Sequence, residues 1–250
     1  MQSTRRLYVL YHEVRPGGSV YSYVMDTQGF NAHCSLYARL QGDPLTQPRP
    51  EITFDDGHRS NYEQALPVLQ AHGLTAQFFI TVGWTEQKQD YMSWAELAAL
   101  HNAGQQIGAH VWSHTLLTQC GAAELKSELE RPRLTLEDKL GTSIVTMSLP
   151  GGRYNKRVLA ACRDAGYERV YTSVPSATPD LHEYTAGRLN IRGDMQVDWI
   201  AGLFKEDSKT LAKLESGYKL KAAAKGLLGD SLYAKLWAIV NRQESQDDLG

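Results

Sequence analysis

Three cysteines in 250 residues are too few and too scattered to frame a fold with disulfides. Cys34, Cys120 and Cys162 are odd in number and far apart, which suits a reducing compartment. Long apolar runs are missing too. No stretch approaches the roughly 18 residues that a transmembrane helix needs. After the polar, basic start at Met1 to Arg6, the apolar run Leu7 to Leu10 is too short for a secretory signal. These absences lead to the expectation of a cytoplasmic protein without a transmembrane segment. Charge of one sign is also lacking: 26 Lys and Arg stand against 28 Asp and Glu, a net −2. That balance offers no electrostatic footprint for nucleic acid or for an acidic polymer.

What is present is an alternation of strand-like and helix-like segments. Strands are expected at Leu7–Tyr11, Glu51–Phe54, Thr75–Val82, Gln106–His110, Ile144–Ser148 and Arg169–Ser173. Helices are expected between them. One covers Phe30–Leu40. A second covers Asn61–His72, capped by Ser60 or Asn61 and stopped by Gly73. A third runs from Ser93 to Ala103, with Glu96 completing a capping box. A fourth runs from Ala122 to Leu140, interrupted near Pro132 and ended by Gly141. A fifth runs from Asn155 to Ala165. Repeated strand–helix units imply parallel strands with helices outside them. A chain of this length can close such units into one (β/α) barrel.

The chemistry gathers at two strand ends. Thr53-Phe54-Asp55-Asp56-Gly57 closes an apolar run with adjacent carboxylates and a glycine. Burying two carboxylates side by side is costly unless something positive sits beside them, and a metal ion is the simplest compensation. His110-Val111-Trp112-Ser113-His114 likewise follows a strand-like run, and its two imidazoles, four residues apart, can reach one ion. An aspartate with two histidines leaves coordination positions open, which is how a catalytic site differs from a structural one. Taken singly, Asp-Asp-Gly is also a common turn, and paired histidines also serve as core or surface residues. Their shared position at strand C-termini, where barrels of this kind carry function, favours the site.

With these residues in view the chain resembles the polysaccharide deacetylase family, the NodB-homology domains of carbohydrate esterase family 4. Beyond the two motifs, Tyr11-His12-Glu13-Val14 resembles the family's opening strand, and Phe30–Leu40 resembles the helix before the first motif. Met147-Ser148-Leu149-Pro150-Gly151-Gly152-Arg153-Tyr154-Asn155 resembles its third motif. The resemblance spans residues 7 to 192. It implies a distorted (β/α) barrel of the NodB type, here assigned to residues 1–206, and the different composition of residues 207–250 sets them apart as a C-terminal helical extension. It implies a metal-dependent deacetylase acting on an acetylated glycan or glycolipid, with Asp56, His110 and His114 as ligands and Asp55 as general base. It assigns Gly151, Arg153 and Tyr154 to the substrate and oxyanion side. Two imidazoles and a carboxylate suit zinc first, and cobalt, nickel or iron as well.

Two departures from the family pattern stand out. The arginine that normally opens the third motif and holds the base aspartate is replaced by Ser148. Arg153, five residues on, is either its substitute or a surface residue. The late Leu-x-His motif is absent, and His182 reads as a loop residue without a role. These departures keep open a catalytically inactive binding or scaffold protein, or a hydrolase of another amide. His58 could lie at the site's rim and Trp112 could wall a groove or fill the core. Tyr154 and Tyr171 could stack on a sugar. Cys120 reads as a small buried residue. After Asp207, lysines alternate with leucines, and Tyr233, Leu236, Trp237 and Val240 recur at helical spacing. Two amphipathic helices are expected there, packed on the barrel or touching a membrane surface or partner.

Overall fold

The computed structural model describes residues 5–43, 45–178, 183–205 and 207–220. The chain begins with β1 (Arg6–Tyr11), then β2 (Glu13–Arg15), β3 (Val24–Asp26), helix α1 (Thr27–Gly42) and β4 (Arg49–Phe54). A π-helical turn (Asn61–Ala65) runs into α2 (Leu66–Ala71), followed by β5 (Ala76–Ile80), α3 (Trp94–Asn102) and β6 (Gln106–Ala109). Then come α4 (Ala122–Leu140), β7 (Thr146–Ser148), α5 (Lys156–Asp164), β8 (Arg169–Tyr171), β9 (Thr185–Ala186), β10 (Arg188–Asn190) and α6 (Val197–Leu203). Residues 209–220 form a further helix.

The main sheet runs β10-β1-β4-β5-β6-β7-β8-β9, and every pairing in it is parallel. Parallel strands are covered on both faces, which is why β5 reads Ala-Gln-Phe-Phe-Ile and is buried throughout. The ring of Phe54 stacks on that of Phe78 with centroids 4.7 Å apart, fixing β4 against β5 at the strand that carries the first motif. The two ends of the sheet order are nearly consecutive in the chain, with only Gly187 between β9 and β10. Opposite edges of a flat eight-stranded sheet would lie about 34 Å apart, far beyond one residue's reach. The sheet therefore bends round on itself as a distorted barrel. The NodB-like α/β fold expected from the sequence is the fold observed.

Local chemistry sets most element ends as expected. Ser93 and Glu96 make the reciprocal capping box of α3, and Asn155 Oδ1 accepts from Val158 N at the start of α5. Gly141 ends α4 in the left-handed region, φ 65°. Three expectations need correction. α4 is continuous through Pro132, the hydrogen bond and carbonyl packing lost at one position being outweighed by the buried face of the rest of the helix, Leu125, Leu129, Pro132 and Leu136. Ser60 and Asn61 cap nothing. Ser60 Oγ accepts from Val14 N and Asn61 Nδ2 donates to the His12 carbonyl, so both fasten the segment after β1. β2, β3, β9, β10 and α6 have no counterpart in the sequence reading, because two- and three-residue strands carry no periodicity. In the helix over 209–220, Leu211 is buried and Leu214 packs on the core. His182 and the second C-terminal helix, Tyr233 to Val240, lie outside the described residues.

Candidate metal centre and active site

The end of β4 splits the two carboxylates. Asp55 follows the strand into the barrel and is 3% exposed. Asp56 takes φ 73°, which turns its side chain toward the loop after β6. That loop, carrying His110 to His114, has two more left-handed residues, Val111 at 57° and His114 at 64°. Such angles are uncommon outside glycine and persist only where surroundings enforce them. The result is a cluster. His110 Nε2 lies 3.4 Å and His114 Nε2 3.3 Å from Asp56 Oδ1, and the three ligand atoms lie within 4.8 Å of one another. Asp56 Oδ1 is buried with no hydrogen-bond partner. A buried acceptor facing two imidazole nitrogens fits a divalent cation, and the N₂O donor set suits zinc or a neighbouring transition metal. His110 Nδ1 donates to the Ser148 carbonyl at 2.9 Å, which leaves Nε2 as its ligating atom.

Asp55 belongs to a different network. Arg188, on β10, is fully buried and grips it in a fork: Nη1 to Oδ1 at 2.7 Å and Nη2 to Oδ2 at 2.8 Å. Ser148 Oγ donates to Asp55 Oδ2 at 2.9 Å and accepts from Arg188 Nη2 at 2.6 Å. Arg188 Nε donates to the Thr172 carbonyl. Burial pushes the Asp55 carboxyl up, but the Arg188 guanidinium and His110 outweigh it, and the net shift is downward. Burial likewise opposes ionisation of Asp56, and the contacts with His110 and His114 hold it well below the usual carboxylate range. Asp55 is therefore an ionised carboxylate whose Oδ2 lies 3.9 Å from His110 Nε2.

Arg188 is the residue that sequence reasoning missed. The arginine absent at position 148 is supplied from the last strand of the barrel. The signal available was faint: one charged residue inside the short apolar stretch Ala186 to Ile191. Arg153 is exposed and does not hold Asp55. His12 is a second omission, since it entered the sequence reading without a role. Its Nδ1 is buried without a hydrogen-bond partner. Burial draws its pKa down, partly opposed by Asp56 and then Asp55, so the neutral ring stands within electrostatic reach of both aspartates.

The remaining candidates separate. Gly151 sits in the turn after β7 at φ 60°, and a Cβ built there would meet Leu116 of the histidine loop at 3.1 Å. Tyr154 is exposed and lies near Tyr218, on the helix over 209–220. Tyr171 is buried against Tyr8 and Phe79 inside the barrel, away from any sugar face. Trp112 is half-buried beneath the Arg131 guanidinium. His58 is buried and bonds Arg15 Nη2 and Ser60 Oγ. Cys120 is buried and outside the ligand cluster. Beside His114 stands an aromatic wall the sequence did not suggest: Trp84, 5.1 Å from the His114 ring, then Tyr91, 4.7 Å from Trp84. Tyr23 and the exposed Tyr21 form a second wall next to His12.

Known proteins share both the fold and the sequence pattern. The fold matches the Streptococcus pyogenes deacetylase PplD, solved in complex with acetate, with a TM-score of 0.71 at 16% identity, over 82% of this chain and 100% of that one. YxkH of Bacillus subtilis, named as a polysaccharide deacetylase, is 25% identical over 200 residues, 75% of this chain and 71% of that protein. The peptidoglycan-N-acetylglucosamine deacetylase PgdA of Listeria monocytogenes is 31% identical over 114 residues, 45% of this chain and 23% of that protein. A chitin deacetylase of Pestalotiopsis sp. is 27% identical over 136 residues, 54% of this chain and 45% of that one. The chain thus matches less than half the length of the last two relatives. Residues 43–170, more than half of the chain, match the profile described as polysaccharide deacetylase. With that profile seated on the strands that carry Asp55, Asp56 and the two histidines, the chain belongs to the polysaccharide deacetylase family, hydrolases of carbon–nitrogen bonds other than peptide bonds.

Proposed function

We propose that this protein removes N-acetyl or O-acetyl groups from a polysaccharide, oligosaccharide or glycolipid precursor, using a divalent metal, zinc by preference, held by Asp56, His110 and His114. The observation that carries the reading is Asp55, buried, ionised and clamped by Arg188 and Ser148 directly beside the three-ligand cluster. When bound, such an ion lowers the pKa of water and polarises an acyl carbonyl. The protein's own groups do the rest. Asp55 takes the proton from the attacking water. Arg188 keeps it ionised and oriented for that role. The backbone at Gly151 offers an N–H to the developing oxyanion. His12 replaces the late histidine of the family pattern. Burial keeps its imidazole neutral at rest and makes its conjugate acid a stronger donor. It relays to the departing amine, or to the departing alcohol of an O-acetyl ester, the proton that Asp55 has taken. Trp84, Tyr91, Tyr23 and Tyr21 present apolar ring faces of the kind that pack on sugar C–H groups.

The inactive-scaffold reading drew on Ser148 in place of the third-motif arginine and on the missing late histidine. Arg188 speaks against the first ground, since Ser148 and Arg188 together hold the base, and His12 is our candidate for the second. The test is acetate release from acetylated chitooligosaccharides after metal stripping and zinc or cobalt re-addition, with Asp55→Asn in parallel. Metal-dependent release that Asp55→Asn abolishes is the expected result. Tight metal uptake without acetate would point to another acyl substrate, and no metal uptake would overturn the reading. The cytoplasmic placement inferred from three unpaired cysteines belongs to the same proposal, and cell fractionation tests it.

A further inference from the structure

The histidine loop is gripped from outside by a residue with no assigned role. Glu128, on α4 and 8% exposed, reaches across to residues 112 and 113. Its Oε2 accepts from Trp112 N and Ser113 N, both at 2.9 Å, and its Oε1 accepts from Ser113 Oγ at 2.8 Å. One turn on, the Arg131 guanidinium lies 3.3 Å over the Trp112 ring. The opposite side of the loop is pinned from the end of β5: Val82 N donates to the Val111 carbonyl, Gly83 N to that of Trp112 and Thr81 Oγ1 to that of His110. Val111 and His114, which flank residues 112 and 113, are both at positive φ.

His110 and His114 are held differently. His110 has its Nδ1 bond to the Ser148 carbonyl. Among the described residues no such bond anchors His114 Nδ1. The His114 side chain is 36% exposed and, apart from the contact of its Nε2 with Asp56, leans on the rings of Trp84 and His110. Its position is inherited from the backbone just before it, and that backbone hangs on Glu128.

We propose that Glu128 is a positioning residue for metal loading: its carboxylate holds residues 112–113 so that His114 is set in place before the ion arrives. This rests on the metal reading above. The role is geometric and not one of charge, which makes it separable. In Glu128→Gln the side-chain carbonyl can still accept both backbone N–H groups, and its amide can donate to the Ser113 hydroxyl. Glu128→Ala removes all three bonds.

The experiment titrates zinc into the metal-free full chain by calorimetry and records the visible spectrum of the cobalt-loaded protein. Glu128→Ala should weaken zinc roughly ten- to hundredfold and alter the cobalt bands, while Glu128→Gln should stay close to wild type on both. Leu136→Ala, a buried change on the same helix, should lower the apo melting temperature and leave zinc affinity alone. Should Glu128→Ala not fold, Glu128→Asp, one methylene short of the loop, is expected to weaken zinc in the same direction. Unchanged zinc affinity in the folded Ala or Asp variant would overturn the proposal. So would equal weakening by Leu136→Ala at matched loss of stability. A wild-type chain that takes up neither zinc nor cobalt would overturn the metal reading and this proposal with it.

Discussion

Arg188 and Asp55 show how much one side chain can control here. Both are buried, and two short charge-assisted bonds join them. Removing one member of such a pair leaves an uncompensated charge, which costs about 3–5 kcal/mol. Arg188→Met should therefore lower stability by that order, read in urea unfolding at neutral pH. It should also change the pH profile in a definite direction. The Asp55 pKa is depressed, so its contribution to stability is present above the ordinary carboxylate range and disappears as pH falls through the depressed value. Without Arg188, burial is opposed only by His110 and His12 and the Asp55 pKa rises from its depressed value, so the acidic limb of kcat/KM should move to higher pH. A limb that stays in place would remove Asp55 from the role of base. His12→Gln makes a separate prediction. It should lower kcat by roughly 10²–10⁴ with zinc affinity unchanged, and a large loss of zinc affinity would mean that His12 shapes the metal site instead.

At the scale of elements, the site is a set of strand ends held by their neighbours. β4 delivers both aspartates, β6 the histidines, β7 Ser148 and β10 Arg188. The first two deliveries were legible because each motif is contiguous and sits just after an apolar run. The others were not, because Ser148 reads only as the loss of an arginine and β10 has only three residues. Gly83 lies where the turn after β5 meets the histidine loop. A Cβ there would stand 2.5 Å from the Trp112 carbonyl oxygen, a backbone atom that cannot swing away. Gly83→Ala should thus push the loop off its position. It is expected to lower both the apo melting temperature and zinc affinity, whereas Gly121→Ala, which meets open space, should change zinc affinity little. Equal zinc affinities in the two variants would show that the loop yields without moving His114.

For the molecule as a whole, barrel, core and metal cluster make linked predictions. The core is built from buried apolar side chains and does not include the ligand set, so the metal-free chain should remain folded. Zinc at about a hundred times its Kd should then add roughly 2.7 kcal/mol, seen as a rise in melting temperature. That rise should depend on pH. Burial alone would lower the His110 pKa, but Asp55 and Asp56 raise it above the usual 6.5. A protonated imidazole cannot ligate, so the zinc-induced rise should be complete at mildly alkaline pH and fade as pH falls through that raised value. His114→Ala should abolish most of the rise at any pH. A pH-independent rise that survives His114→Ala would place the zinc elsewhere.

What the sequence determined by itself was everything that depends on neighbours along the chain. That includes the parallel strand–helix alternation, the capping residues of α3 and α5, and the two motifs whose carboxylates and imidazoles sit at strand ends. What only the tertiary structure decided was the partnership of Asp55 with Arg188, 133 residues apart, and with Ser148, 93 residues apart. It also decided the return of His12 to the same site and the reach of Glu128 from α4 to the histidine loop. The reason is geometric. Spacing along a chain encodes which residues share a strand or a helix face. Contacts across a barrel depend on how its strands curve round, and the step at Gly187 from β9 to β10 is what carries Arg188 to the base.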